Sequence, residues 1–181
     1  MPSEAPILRR LLSLALLAGA FLPTLSCGGG SKLLPPGGSR GSGILLVREH
    51  DVRLRISLIE QALNAENLRL LADQMSPQVV IGSSVRARFR VSGSADAKPL
   101  DFFRDVFRDN ANLEVVIEPV SITIQGSVAL AEVRFVSAAT YIRDLPPVTT
   151  LANTTDQMVF AVEGDRLLLT VWKEKPVPTA D

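Results

Sequence analysis

The sequence predicts an α+β domain in which N-terminal helices pack on one face of an antiparallel sheet. Three observations carry that prediction. Apolar residues recur at helical spacing from Val52 to Met75, and again from Phe102 to Phe107. From Leu113 to Trp172 the spacing changes to a period of two, interrupted at turn-forming residues. Helices first and strands later is the order of a sheet covered by helices on one face.

Each element follows from its own residues. Val52, Ile56, Ile59 and Leu63, with Ala62 beside them, form the apolar stripe of a first helix, and Glu49, Arg53, Glu60 and Gln61 occupy its wet side. Asn64 is read as a stop or as a cap for a second helix. That helix carries Leu68, Leu71, Ala72 and Met75, with Glu66 in its first turn, where the helix dipole favours an acid. Ser76-Pro77 is expected to end it. Val79 to Ile81 is a short apolar run, and Gly82-Ser83-Ser84 a turn signal. Val85, Ala87, Phe89 and Val91 alternate with Arg86, Arg88 and Arg90, which predicts a strand. Ser92 to Lys98 is loop-like. A short helix is predicted over Pro99–Asp109, closed by Asn110-Ala111-Asn112.

Long strand-like segments follow. Leu113 to Ile124 is interrupted at Pro119, which predicts a bulge or an edge position. Gln125-Gly126-Ser127 turns the chain into Val128–Tyr141, whose Ala129, Ala131, Val133 and Phe135 share one face. Arg143 to Thr155 reads as a Pro- and Thr-rich loop. Gln157–Val162 and Arg166–Trp172 form a hairpin around Glu163-Gly164-Asp165.

Composition narrows the function classes. Of 181 residues, 46% are apolar and 21% charged, the balance of a globular chain. Nineteen basic residues match nineteen acidic ones, which argues against a nucleic-acid binder. One cysteine excludes an intrachain disulfide and a cysteine zinc cluster, and one histidine excludes a multi-histidine metal site. No cofactor motif is present, so no cofactor or metal is expected.

The N-terminus reads as a signal peptide over residues 1–26. Arg9 and Arg10 precede a fifteen-residue apolar run, Leu11 to Leu25. A bilayer span needs about 20 apolar residues, so this run is too short to be one. It ends at Ser26-Cys27, which resembles the lipobox of bacterial lipoproteins, although Thr24 and Leu25 depart from the usual pattern. That resemblance implies lipidation of Cys27, the sole cysteine. It implies export to the cell envelope, on the outer membrane in a Gram-negative host. Gly28 to Gly43 follows as a spacer, with twelve of sixteen residues Gly, Ser or Pro. Its typical reach is roughly 20–24 Å. The domain is expected over 44–175, and residues 176–181 as a loose tail.

The order of elements resembles the nuclear transport factor 2-like superfamily, also called SnoaL-like or cystatin-like α+β cones. Ile56 to Met75 looks like the opening helices of that family. Leu100 to Phe107 looks like its third helix, and Val115 to Ile124, Val128 to Phe135 and Met158 to Trp172 like its long sheet. The resemblance implies a helix-covered cone. The superfamily holds isomerases, dehydratases, hydrolases and non-catalytic binding modules, so fold alone does not choose among them.

Few polar residues are candidates for a site. Trp172, Tyr141, Glu132 and Arg134 are the expected ligand contacts if they line the cone, and no catalytic residue is assigned. Glu132 and Arg134 share the face opposite Ala131 and Val133, where solvent is the simpler environment. His50 reads as a surface residue at the helix entry. Arg86, Arg88 and Arg90 read as the wet face of a strand, balanced by acids such as Glu114, Glu118 and Glu132. Asp101, Asp105 and Asp109, alternating with Arg104 and Arg108, read as an exposed helix face. The expected function is a membrane-anchored, non-catalytic module. It would bind a small apolar ligand or an envelope protein, with a homodimer through the sheet. The alternative is a SnoaL-like lyase, isomerase or hydrolase with Glu132, Glu118 or Asp156 as general base.

Overall fold

The computed structural model describes residues 46–94 and 97–176. The expected signal segment, Cys27, the spacer and residues 177–181 lie outside the described residues. Nine elements follow in order: α1 (Glu49–Asn64), α2 (Leu68–Ala72), β1 (Met75–Ile81), α3 (Ser83–Ala87), α4 (Pro99–Asp109), β2 (Asn110–Gln125), β3 (Val128–Tyr141), β4 (Val148–Glu163) and β5 (Arg166–Glu174). The sheet runs β1-β5-β4-β3-β2. All neighbours are antiparallel except β1 and β5, which are parallel. The architecture is the expected α+β cone.

One face of the sheet is the core. Ala129, Ala131, Val133 and Phe135 of β3 are fully buried, as the alternation predicts. Met158 and Phe160 of β4 and Leu169 and Trp172 of β5 join them. Val52, Ile56, Ile59, Ala62 and Leu63 of α1 close over this layer, and Phe102, Phe103 and Val106 of α4 fill the space beside it. Register shifts at Pro119/Ser121 and Val159/Phe160 break the ladders, and such bulges bend long strands. The Pro119 bulge is the one the sequence predicts.

β2 is an outer strand with one neighbour, and α1 guards part of its open edge. The Asn64 amide donates to the Val115 carbonyl and accepts from the Val115 N–H, both at 2.7 Å. Glu60 accepts from the Ile117 N–H at 2.7 Å. These side chains replace a neighbouring strand, which removes a site for unwanted pairing. The hairpin turns carry Gly126 and Gly164 with φ of +61° and +66°, a conformation costly for other residues.

Several boundaries differ from the sequence reading. Val85–Val91 is not a strand. Ser83–Ala87 is helical, and only Val85 and Phe89 of the apolar set are buried. Their separation of four residues satisfies a helical turn as well as a strand, and the longer period prevails. The second helix stops at Ala72, and Met75 to Ile81 forms β1, with Pro77 inside it. β1 is an edge strand, where a missing N–H is tolerated. Asn67, not Asn64, caps α2, its side chain accepting from Leu70 N–H at 2.9 Å, and Glu66 precedes that cap with φ of +50°. Asn110 already belongs to β2, and Asn112 takes the left-handed φ of +53° beside a register shift. β4 begins at Val148, so the second half of the expected Pro/Thr loop is strand. Its threonines are β-branched and pair along β3, Thr140 meeting Thr149 through hydroxyls 3.0 Å apart.

Candidate functional site

The cone interior is occupied by the protein's own side chains. Trp172 is fully buried, stacked 6.2 Å from Phe103 and edge-on to Phe135 at 5.5 Å. Phe89 reaches in from the turn after α3 and meets Phe102 and Phe135 at 6.4 and 6.2 Å. Such ring pairs add stabilisation beyond the area they bury.

A carboxylate lies in this apolar setting. Asp156 of β4 is fully buried and paired bidentately with Arg88, at 2.6 Å from Nη1 and 2.8 Å from Nη2. The Trp172 Nε1–H donates to it at 2.7 Å and the Thr154 hydroxyl at 3.0 Å. Glu174 adds a weaker contact to Arg88 at 3.3 Å. The Arg88 guanidinium also rests over the Phe135 ring. Four donated hydrogen bonds occupy both oxygens of Asp156.

An open cavity of about 640 Å³ lies beside this packed centre. Small-molecule sites span about 300–1,000 Å³. Ile81, Phe89, Phe102 and Tyr141 give it apolar walls, while Ser83, Arg86, Arg90 and Asp144 supply polar groups. Two of its arginines lie over rings, Arg86 over Phe102 at 5.0 Å and Arg90 over Tyr141 at 5.2 Å. Arg86 also donates to the carbonyls of Ile81 and Ala97 at 3.2 and 2.8 Å. Arg90 pairs with Asp144 at 2.6 Å.

A second ionic cluster ties the end of α4 to neighbouring segments. The buried Asp109 carboxylate accepts from Arg108, from Arg143 and from both the backbone N–H and the hydroxyl of Ser92, at 2.6 to 3.1 Å. The Arg108 hydrogen bond, helped by Ser92 and Arg143, holds its carboxyl well below the usual carboxylate range against the opposing effect of burial. The hydrogen bond that Arg108 donates to Asp109 in turn raises the Arg108 pKa. Asp101, Asp105 and Asp109 therefore do not form one exposed face: Asp101 is exposed, whereas Asp109 is buried.

The expected ligand contacts separate onto two faces. Trp172 is in the core, and Tyr141 contributes to the cavity wall. Glu132 and Arg134 lie on the outer face, Glu132 paired with Lys175 at 2.7 Å and Arg134 near Glu118 at 3.6 Å. The three arginines do not share a wet face, and their acidic partners are not Glu114, Glu118 or Glu132. Arg88 pairs with Asp156 and Glu174, and Arg90 with Asp144. Sequence reasoning missed Ser83, Phe89, Phe102 and Asp144 as cavity residues. Their one local signal is the four-residue spacing of Val85 and Phe89, which turns the segment inward. Among the described residues no group of His, Cys, Asp and Glu could hold a metal ion.

No protein-family model matches this sequence, and no curated protein resembles it in sequence. Likeness appears in the fold. A nuclear transport factor 2-like superfamily protein from Salmonella enterica serovar Typhimurium superposes with a TM-score of 0.53 at 15% identity, over 72% of this chain and 92% of that one. A protein from Novosphingobium aromaticivorans, provisionally named scytalone dehydratase, gives 0.56 at 6% identity, over 73% and 94%. A provisional dehydratase of the nuclear transport factor 2-like family from Streptomyces avermitilis gives 0.51 at 12% identity, over 72% and 97%. The domain thus has the nuclear transport factor 2-like fold, a cone compatible with a ligand pocket. At such identities the likeness concerns fold, not chemistry.

Proposed function

We propose that this chain is an envelope lipoprotein that binds a small, largely apolar ligand without transforming it. The observation that carries the reading is the pairing of a cavity with an unavailable acid. The cavity is bounded by Ile81, Phe89, Phe102 and Tyr141, while both oxygens of Asp156 are taken by Arg88, Trp172 and Thr154. A general base needs a lone pair within reach of substrate. Glu118 and Glu132, the other carboxylates considered for that role, sit on the outer sheet face beside Arg134 and Lys175. These placements, with the cavity's own carboxylate Asp144 paired to Arg90 at 2.6 Å, favour binding over the lyase, isomerase or hydrolase alternative.

The outer face supports a homodimer through the sheet as part of this reading. Val116, Val136 and Leu151 border a shallow groove there, and Leu151 is 79% exposed. Anchoring rests on Ser26-Cys27 at the end of the apolar run. Acyl chains at Cys27 would hold the domain at a membrane without a polybasic patch, since the chain after residue 26 has seventeen basic and eighteen acidic residues.

Ala87 is an exposed residue of α3 at the cavity, so Ala87→Trp should fill the space without disturbing the core. Native mass spectrometry of the full chain from its own host should show a non-covalent small-molecule adduct, and Ala87→Trp should lose it at an unchanged melting temperature. An adduct that survives in the variant would place the ligand elsewhere, and turnover of the ligand by the purified protein would end the non-catalytic reading. Intact-mass analysis with radiolabelled palmitate should find acyl label on the wild-type chain and none on Cys27→Ser. Equal labelling of both would remove the anchor.

A further inference from the structure

We propose that the ligand is an amphipathic monocarboxylate, its carboxylate held by Arg90 and its apolar body against Ile81, Phe89 and Phe102. This deepens the binding reading above and rests on the same cavity. Arg90 contributes to the cavity lining and is half exposed. Its Nη1 is engaged by Asp144 at 2.6 Å, and its guanidinium lies 5.2 Å from the Tyr141 ring centroid. Among the described residues its Nε and Nη2 meet no protein acceptor. Those two nitrogens form one edge of the guanidinium fork, the edge that grips a carboxylate through two parallel hydrogen bonds.

The surroundings make that edge selective. Asp144 engages Nη1 and the Tyr141 ring lies against the guanidinium, which leaves the Nε–Nη2 edge as the one for an anion. The Arg90–Asp144 pair is itself exposed, 48% and 41% by side chain, and an exposed pair binds weakly. An incoming carboxylate can therefore share Arg90 with Asp144 or displace it. Arg86, which lies over Phe102, already donates to the carbonyls of Ile81 and Ala97. The apolar wall lies beside the Arg90 edge. It offers Ile81, Phe89 and Phe102 to a chain or a ring. A ligand with one planar anionic end and one apolar end matches both parts, whereas a uniformly polar molecule leaves the apolar wall unsatisfied.

Octanoate and 1-octanol differ at the end that Arg90 would read, which makes them the probes. Their binding to the full chain, reconstituted in nanodiscs with empty nanodiscs as blank, can be followed by equilibrium dialysis. Octanoate should bind about tenfold tighter than octanol, and Arg90→Gln should remove that advantage, since a charge-assisted pair contributes on this scale. Octanol binding should be the same in wild type and Arg90→Gln, which also shows that the variant is folded. Ala87→Trp should weaken both probes. Equal binding of the two probes by the wild type, or octanoate affinity unmoved by Arg90→Gln, would overturn the carboxylate assignment. The cavity reading would then still stand if Ala87→Trp weakened octanol. Binding insensitive to Ala87→Trp would defeat the cavity reading as well. Absence of binding by either probe would overturn this inference, with the native-adduct experiment deciding the broader one.

Discussion

Asp156→Ala is expected to destabilise the domain by about 3–5 kcal/mol, the cost of stranding the partner of a buried ion pair. The Arg88 side chain is 6% exposed and would keep Glu174, at 3.3 Å, as its one acidic partner among the described residues. The Trp172 Nε1–H would lose its acceptor within the core. Domains of this size are stable by about 5–15 kcal/mol, so the loss is a large share of the total. The pair is nevertheless not required as a pair. Replacing both members with apolar residues, Arg88→Met with Asp156→Leu, removes the stranded charge and the buried Arg88 Nε that has no partner. Buried pairs replaced in this way are often neutral or better. A double-mutant cycle of Arg88→Met and Asp156→Leu by urea denaturation should find the double variant more stable than Asp156→Leu alone. Additive losses, or a cost for Asp156→Ala within about 0.5 kcal/mol as at ordinary surface sites, would mean that the pair is not the buried keystone its geometry implies.

Asp109→Asn should cost about 2–3 kcal/mol near neutral pH, the scale of lost hydrogen bonds to a charged group. Its effect should shrink in acid. The native carboxyl is depressed below its ordinary value, foremost by the Arg108 hydrogen bond. A depressed acid stabilises the fold fully above the unfolded pKa, about 3.9 for aspartate. That contribution is lost as the pH falls from there toward the lower native value. Asparagine cannot titrate, so the gap between wild type and variant should narrow progressively below about pH 4. Urea midpoints measured from neutral pH down to the acid limb test this directly. A gap independent of pH would show that the cluster acts through shape and not through charge. Arg108 and Arg143 are half exposed and can return to water, which keeps the expected loss below that for Asp156.

Much of the fold was legible in local pattern. The helix near Pro99–Asp109 and the strand from Val128 to about Tyr141 match the structure. α4 is strongly amphipathic and starts at a proline, which preorganises a first turn. β3 keeps a strict alternation against neighbours on both sides, so its period is unambiguous. Val85 to Val91 offered two periods at once, and contacts outside the segment chose between them. The threonines of β4 and the proline of β1 were misread for a related reason. Strand preference depends on the neighbouring strand more than on the residue itself. The candidate site was less legible. Tyr141 lines the cavity, but its companions Ser83, Phe89, Phe102 and Asp144 come from separate segments.

The sequence by itself determined that helices precede a run of long strands, that β3 alternates apolar and polar positions, and where the apolar stripe of α1 lies. Those properties come from side-chain periodicity, which acts over a few neighbouring residues. Only the tertiary structure decided which acid meets which arginine, that Asp156 is locked beneath Trp172, and that a cavity opens beside Arg90. Arg88 and Asp156 are 68 residues apart and Arg90 and Asp144 are 54 apart. No local period encodes such pairings; they exist because β4 and the end of β3 pass beside the turn after α3. Charge type is written in the chain, but the distance between charges is set by packing.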